Sequence, residues 1–396
     1  MKRFGIGLCV LALVVFLTAP AMADGITPYA SMRLGTFWSS YDFNDDAHGY
    51  TLDDDDEDLN LDIARIARFG AKGQVGDIYG VVELGWEGCE NKAGKDMTAG
   101  QRRPYYNRDV YGRLLYVKWD FGAGDLIVGQ DYTPPTYPSA QQAPGVFDIQ
   151  NGFIGTGCLW DRRWPQIKVK LDSGFYFAAV QTYDGLGPDG FWAEPGARDQ
   201  YATVERGGDS DVTIPKLFAG YAYKQDGLYL ELGAGYNTYD YNDEAVGGTF
   251  DDSIDSYLVF LKGACPMGPM DLKFAAHYGE NLHDFGILGR HTNGYARILP
   301  NGDIEDATCY GGFLQGAFKM GDLTPAIGVG YASDESDDAA SDEADEKLGV
   351  FVQCKIPIAG SFWMVPEVTY WDGMDDAAGN EDTDELHIGI LWQANF

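Results

Sequence analysis

Past residue 23, no stretch of this sequence approaches the roughly 18 to 20 consecutive apolar residues that a bilayer-spanning helix needs. The one apolar run, Leu8 to Leu17, is too short and carries the marks of a secretory signal, with Lys2 and Arg3 ahead of it and the small-x-small site Ala21-Met22-Ala23 behind it. Residues 1–23 are therefore read as a signal peptide and 24–396 as a single mature domain. Positive charge is also scarce. Lys and Arg number 28 against 61 Asp and Glu, a net charge of −33 that becomes −35 once the two signal cations are removed. Nucleic acid is excluded as a partner, because phosphate binding needs clustered Lys and Arg. Cysteine is sparse and odd in number after cleavage: Cys89, Cys158, Cys265, Cys309 and Cys354. Their spacing is neither a disulfide framework nor a zinc motif. At most one loop bridge, Cys89 to Cys158, is open to the sequence, with free or buried thiols as the alternative. Helix-period apolar patterning is absent beyond a turn or two.

Period-two alternation takes its place. Leu228, Leu230, Leu232, Ala234 and Tyr236 share one face, and Glu231, Gly233, Gly235 and Asn237 the other. In 76–88, Ile78, Val82, Leu84 and Trp86 oppose Glu83 and Glu87; in 348–356, Val350 and Val352 oppose Gln353 and Lys355. This pattern yields sixteen strands, near 26–39, 60–72, 76–88, 109–121, 124–132, 162–171, 174–183, 214–224, 228–240, 254–264, 270–279, 308–319, 323–332, 347–357, 361–371 and 385–396. Short turns are predicted at Gly73-Gln74-Val75, Gly122-Ala123, Asp172-Ser173, Gln225-Asp226-Gly227, Cys265 to Pro269, Met320-Gly321-Asp322 and Ile358-Ala359-Gly360. They alternate with long polar connections, and tryptophans such as Trp38, Trp119, Trp371 and Trp392 fall near strand ends. Short turns on one side, long loops on the other and aromatic girdles are the features of an all-β transmembrane antiparallel barrel. The last strand carries Leu386, Ile388, Ile390, Trp392, Ala394 and Phe396 on one face, with Leu391 the single exception. As the sixteenth of an even set, it is expected to close the barrel against residues 29–37 and leave no edge.

The long connections are acidic, above all Asp53-Asp54-Asp55-Asp56-Glu57-Asp58, 334–346 and 372–385. A solvated face is the ordinary reading of such runs. A sharper one is weak Ca²⁺ or Mg²⁺ binding at Asp53, Asp54, Asp55 and Asp56, bridging to lipopolysaccharide, although no run has EF-hand spacing. An acidic mouth also concentrates cations over a Debye length of about 8 to 10 Å.

Gly112-Arg113-Leu114-Leu115-Tyr116-Val117, then Asp120-Phe121-Gly122 and Leu126-Ile127-Val128-Gly129-Gln130, resembles the fourth-to-fifth strand hairpin of the trimeric general diffusion porins of Gram-negative bacteria. Ala67-Arg68-Phe69-Gly70-Ala71-Lys72-Gly73 is similar to that family's second strand, and the terminal Phe396 to the signal read by the outer-membrane assembly machinery. The resemblance implies a homotrimer in the cell outer membrane, no cofactor, and passive diffusion of small hydrophilic solutes. It also implies that the Pro- and Gly-rich loop from Asp131 to Asp161 folds into the lumen opposite wall arginines, the alternative being an outward surface loop. The wall residues it implies are Arg68, Arg113 and one of Arg162 and Arg163. Alternation supports Arg68, with Lys72 on its face. It supports Arg113 less well, since Leu115, Val117 and Trp119 share its parity. It favours Arg162 with Lys168 inward, unless Pro165 hides a bulge. Glu83 is on a polar face, and the loop itself offers mainly Asp148, fewer acids than the family commonly has there.

Competing functions lack their residues. A barrel enzyme needs serine, histidine and acid together, and none of the five histidines has a serine motif beside it; His277 and His387 read as polar lumen lining. An energy-coupled receptor needs a plug domain ahead of the barrel, and the first strand is expected almost at once after Asp24. A sugar- or anion-selective porin is the remaining alternative.

Overall fold

The computed structural model describes residues 25–42, 56–63, 67–86, 110–136, 156–161, 163–182, 209–243, 250–287, 294, 296–298, 304–336, 344–374 and 384–396. The signal peptide, Cys89, Asp148 and Arg162 lie outside them, and so does any Cys89–Cys158 bridge.

Sixteen wall strands follow one another around a closed antiparallel barrel. They are β1 (Ile26–Asp42), β2 (Asp56–Ile63 continued by Arg68–Val75), β3 (Ile78–Trp86), β4 (Val110–Asp120), β5 (Gly124–Tyr132), β6 (Arg163–Leu171), β7 (Phe175–Val180) and β8 (Asp209–Asp211 continued by Lys216–Gln225). The circuit continues through β9 (Leu228–Asp243), β10 (Phe250–Met267), β11 (Met270–Glu280), β12 (Ala307–Phe318), β13 (Thr324–Ser336), β14 (Asp345–Ala359), β15 (Phe362–Asp372) and β16 (Asp384–Asn395). The interruption of β8 ends at Pro215, whose missing N–H cannot join the ladder. β16 pairs back onto β1 from Ser31↔Asn395 to Asp42↔Asp384, and Ala30 and Phe396 exchange both backbone hydrogen bonds, at 3.0 and 3.3 Å.

Alternation sorts the two faces as the sequence indicates. Leu115, Phe177, Leu232, Val259, Ile327 and Val352 are exposed on the outside, at 47 to 63%, while residues of opposite parity such as Glu231, Asn237 and Gln353 are buried. An apolar belt of this kind on a closed sheet is what a lipid solvent requires. Leu391, the exception in the last strand, turns inward and packs with Phe37 and Val365. Gly389 makes this possible, because a Cβ there would run into the Phe37 ring.

Three predicted turns move. The first is at Gly76-Asp77 rather than 73–75, and Gly73 pairs with Ile26 within the ladder. The others tighten to Gly268-Pro269 and Gly360-Ser361. In each case the residue that reverses the chain is the glycine with φ near +60° (Gly76 58°, Gly268 63°, Gly360 53°), a conformation that other residues take only at a cost. The parity conflict at Arg113 also resolves. The β3–β4 register shifts between Glu83 and Leu84, so that Leu84 faces Gly112 and Glu83 faces Leu114. Arg113 is the extra residue of a β-bulge. It points inward while Leu115, Val117 and Trp119 face out, at 63, 49 and 48% exposure.

Val259 lies midway along β10 on the outer face. Val259→Arg is expected to lower unfolding free energy in lipid vesicles by about 2 to 4 kcal/mol, whereas Val259→Leu changes it little; urea titration followed by loss of the heat-resistant band on gels checks this.

Candidate functional site

Glu83 is the centre of a charged cluster on the inner wall, with a side chain only 3% exposed. Arg113 Nε meets its Oε1 at 2.8 Å, Arg68 Nε meets Oε2 at 3.4 Å, and the Tyr29 hydroxyl donates to Oε2 at 2.9 Å. The register dictates this grouping, since Tyr29 and Glu83 are both cross-strand partners of Gly70, and Arg68 faces Gly85. Gly70 and Gly85 are open positions over which the Tyr29 ring and the Arg113 stem lie; a Cβ at either would collide with them. Arg113 is otherwise satisfied by Tyr111 (3.2 Å) and Tyr132 (3.1 Å). Arg163 joins the same group, its guanidinium 5.5 Å from the Tyr132 ring centre and 5.6 Å from that of Trp160. Thus Arg68, Arg113, Glu83 and Arg163 are brought together. Arg162, the arginine favoured by alternation, lies outside the described residues. Lys168 stands apart on β6, bonded to Asp131 at 3.2 Å, and Lys72 is exposed near the first short turn. Asp53, Asp54 and Asp55 fall outside the described residues, and Asp56 opens the first piece of β2.

The loop between β5 and β6 is described at both ends, 133–136 and 156–161, and both are buried. Gly157, at φ 76°, sits so close to the carbonyls of Gly312 and Tyr331 that a side chain there would clash. Those residues belong to β12 and β13, about halfway round a ring of sixteen from β5. Leu159 and Cys158 pack among Phe218, Phe260 and Phe313 from the wall and Phe285 of a short 3-10 helix. The described loop end therefore lies inside the barrel, against the wall opposite β5; the middle of the loop, 137–155, is outside the described residues. Buried polar contacts hold it there. Thr133 Oγ1 donates to the Asp161 carbonyl at 2.9 Å, Lys262 on β10 donates to the Pro134 carbonyl, and Lys216 on β8 meets Asp161 Oδ1 at 2.8 Å with both side chains fully buried. Lys216 also donates to the Asp284 carbonyl at 3.2 Å, at the end of a short 3-10 helix, Leu282–Phe285, that is itself buried. Burial pushes the Asp161 carboxyl up to about 6, and the Lys216 ammonium is the main influence opposing that rise. Desolvation and attraction largely cancel in such a pair, so its role is to fix the loop's position more than to add stability.

Barrel closure makes one arrangement that reading along the chain misses. Ser39 and His387 are directly opposed across β1 and β16, Ser39 Oγ is 2.7 Å from His387 Nδ1, and His387 Nε2 is 3.0 Å from Glu385 Oε2. The Trp371 ring meets the imidazole edge-on at 4.8 Å. Composition resembles a hydrolase triad, but a nucleophile must present its oxygen to substrate and Ser39 is 3% exposed. Sequence reading also misses Tyr29, Tyr111, Lys216 and Lys262. Tyr29 lies 54 residues from Glu83 and Lys216 55 from Asp161, while Tyr111 shares the parity of Leu115, which the bulge at Arg113 places on the opposite face.

No protein-family pattern matches the sequence, and no curated protein matches it either. Solved structures do. The outer membrane channel DcaP of Acinetobacter baumannii superimposes with a TM-score of 0.66 at 16% identity, over 94% of this chain and 97% of that one. Salmonella typhi OmpF gives 0.54 at 11% identity, covering 93% and 97%, and the anion-selective porin from Comamonas acidovorans gives 0.53 at 12%, covering 94% and 99%. At these identities the likeness establishes the porin-type barrel fold.

Asp161→Asn strands the buried Lys216 ammonium and is expected to cost about 3 to 5 kcal/mol, while Asp161→Asn with Lys216→Met recovers most of it. A double-mutant cycle by urea unfolding in vesicles reads the coupling; additive losses would show that the pair does not position the loop.

Proposed function

We propose that the protein is an outer-membrane porin of a Gram-negative bacterium, a water-filled channel through which small hydrophilic solutes and ions diffuse passively. The observation that carries this reading is the combination of an apolar outer belt with a charged inner wall across which a buried loop end is tied. A closed barrel of sixteen strands is wide enough for an aqueous passage, and an inward loop narrows it. The neighbouring folds named as a channel and as porins support the same reading. The ladder of Arg68, Arg113 and Arg163 facing the loop supports a constriction there: guanidinium groups stay charged and present a rigid donor fork, so with carboxylates opposite they order pore water and favour polar solutes over apolar ones.

Residues 1–23 as a secretory signal, the single domain 24–396, recognition of Phe396 by the assembly machinery, contact with lipopolysaccharide and assembly as a homotrimer complete the proposal. A non-enzymatic role fits the enclosure of Ser39. Ser39→Ala is therefore expected to leave permeation unchanged.

In liposome swelling, purified protein is expected to admit neutral sugars at rates that fall steeply with solute size, and Arg68→Ala, removing a partly exposed guanidinium from the wall, is expected to raise the rate for the larger sugars by up to about twofold. Vesicles that do not swell with any sugar would refute the channel, and an unchanged size cut-off in Arg68→Ala would remove that residue from the constriction.

A further inference from the structure

Between the inward loop and the short-turn side of the barrel lies a cavity of about 850 Å³, bounded by β6 to β10 and by the start of the loop. Its polar lining is basic in a chain whose net charge is −33. Four lysines enter it: Lys168 and Lys170 from β6, Lys224 from β8 and Lys262 from β10. Two are neutralised where they stand, Lys168 by Asp131 at 3.2 Å and Lys262 by Glu231 at 3.3 Å. Among the described residues no carboxylate pairs with Lys170 or Lys224. The remaining acid of the lining, Asp226, belongs to the short turn at the rim, where Gln225 donates to it at 3.4 Å. Lys224 instead lies 5.1 Å over the Tyr229 ring. Inward lysines without an ion-pair partner among the described residues recur around the same end of the wall, at Lys72, Lys273 and Lys355, whereas the long acidic runs of the sequence belong to the opposite, long-loop side.

We propose that this cavity is a transit site for small solutes bearing carboxylate or phosphate groups, and that Lys170 and Lys224 make the channel prefer anions despite the chain's acidity. The inference rests on the channel reading above. Its physical basis is local. Two ammonium groups without an ion-pair contact among the described residues, with Glu231 the carboxylate that acts on Lys224, sit in a recess walled by protein. They act through an effective dielectric well below that of water, while the acidic loops are screened beyond about 8 Å at physiological salt. A cavity of 850 Å³ accepts such a solute with its water. Lysine suits a site that must also release its occupant, because a mobile, strongly hydrated point charge holds an oxyanion less rigidly than a guanidinium fork does. Two neighbouring ammonium groups also attract a divalent anion more than a monovalent one.

Full-length protein in planar bilayers under a KCl gradient tests it, with inorganic phosphate as the second probe. The expected result is stepwise conductance with a reversal potential of the sign for chloride preference, and millimolar phosphate that reduces the chloride current. In Lys170→Gln/Lys224→Gln the chloride preference is expected to fall at least about twofold, and about tenfold more phosphate to be needed for the same reduction. Heat-modifiable migration on gels verifies that the variant is folded, and Lys224→Gln alone, at an exposed strand end, supplies a milder version expected to give a smaller shift of the same sign. Steps with cation preference in the unmodified protein, or a folded double variant with unchanged preference and phosphate response, would overturn the anion site while leaving the channel intact. Absence of steps would instead refute the channel itself.

Discussion

A strand edge left open in hydrocarbon has no water to satisfy its N–H and C=O groups, at a cost of several kcal/mol for each. Everything else in this structure follows from meeting that condition by joining β16 to β1. Closure fixes which side of each strand is inside, because side chains alternate and a slip of one residue would exchange the faces. It places Ser39 against His387, and with β2 completing the neighbourhood it brings Tyr29 to Glu83. The seven short turns, each with a glycine at positive φ, keep successive strands adjacent and so make the ring attainable from one continuous chain.

Once the ring is closed, its inner surface must carry the charges that the outer surface excludes, and there they arrange themselves by burial. Where water is excluded, cations are matched: Arg113 with Glu83, Lys216 with Asp161, Lys262 with Glu231. Toward the short turns Lys170 and Lys224 have no ion-pair partner among the described residues. The same residue type is thus a positional clamp at one depth and a source of field at another. The described end of the loop between β5 and β6, 156–161, is buried and reaches the far wall at Gly312 and Tyr331.

The barrel was legible in the sequence because period two, turn glycines and the alternation of short and long connections are local signals. All sixteen strands sit where alternation places them, and the turn shifts are of a few residues. Arg68 was legible for the same reason. Arg113 was not resolved by alternation, since a bulge is an extra residue that erases the parity rule on which the reading depends; the resemblance to a porin hairpin carried it instead. Leu391 read as an exception because its acceptance indoors depends on Phe37, more than 300 residues away. Lys216, Lys262 and the Ser39–His387–Glu385 chain depend on partners joined only by closure or by the loop's path, and no local pattern encodes either.

The central claim is that alternate residues of these strands face lipid and water. Spin labels placed one at a time along 326–330 of β13, where Ile327 and Val329 are 50 and 40% exposed and Ala326 is 4%, measure it directly in vesicles. The account calls for oxygen accessibility peaking at 327 and 329 while accessibility to a water-soluble nickel chelate stays low there. Peaks of the chelate at those two positions, or no period-two variation in either reagent, would contradict it.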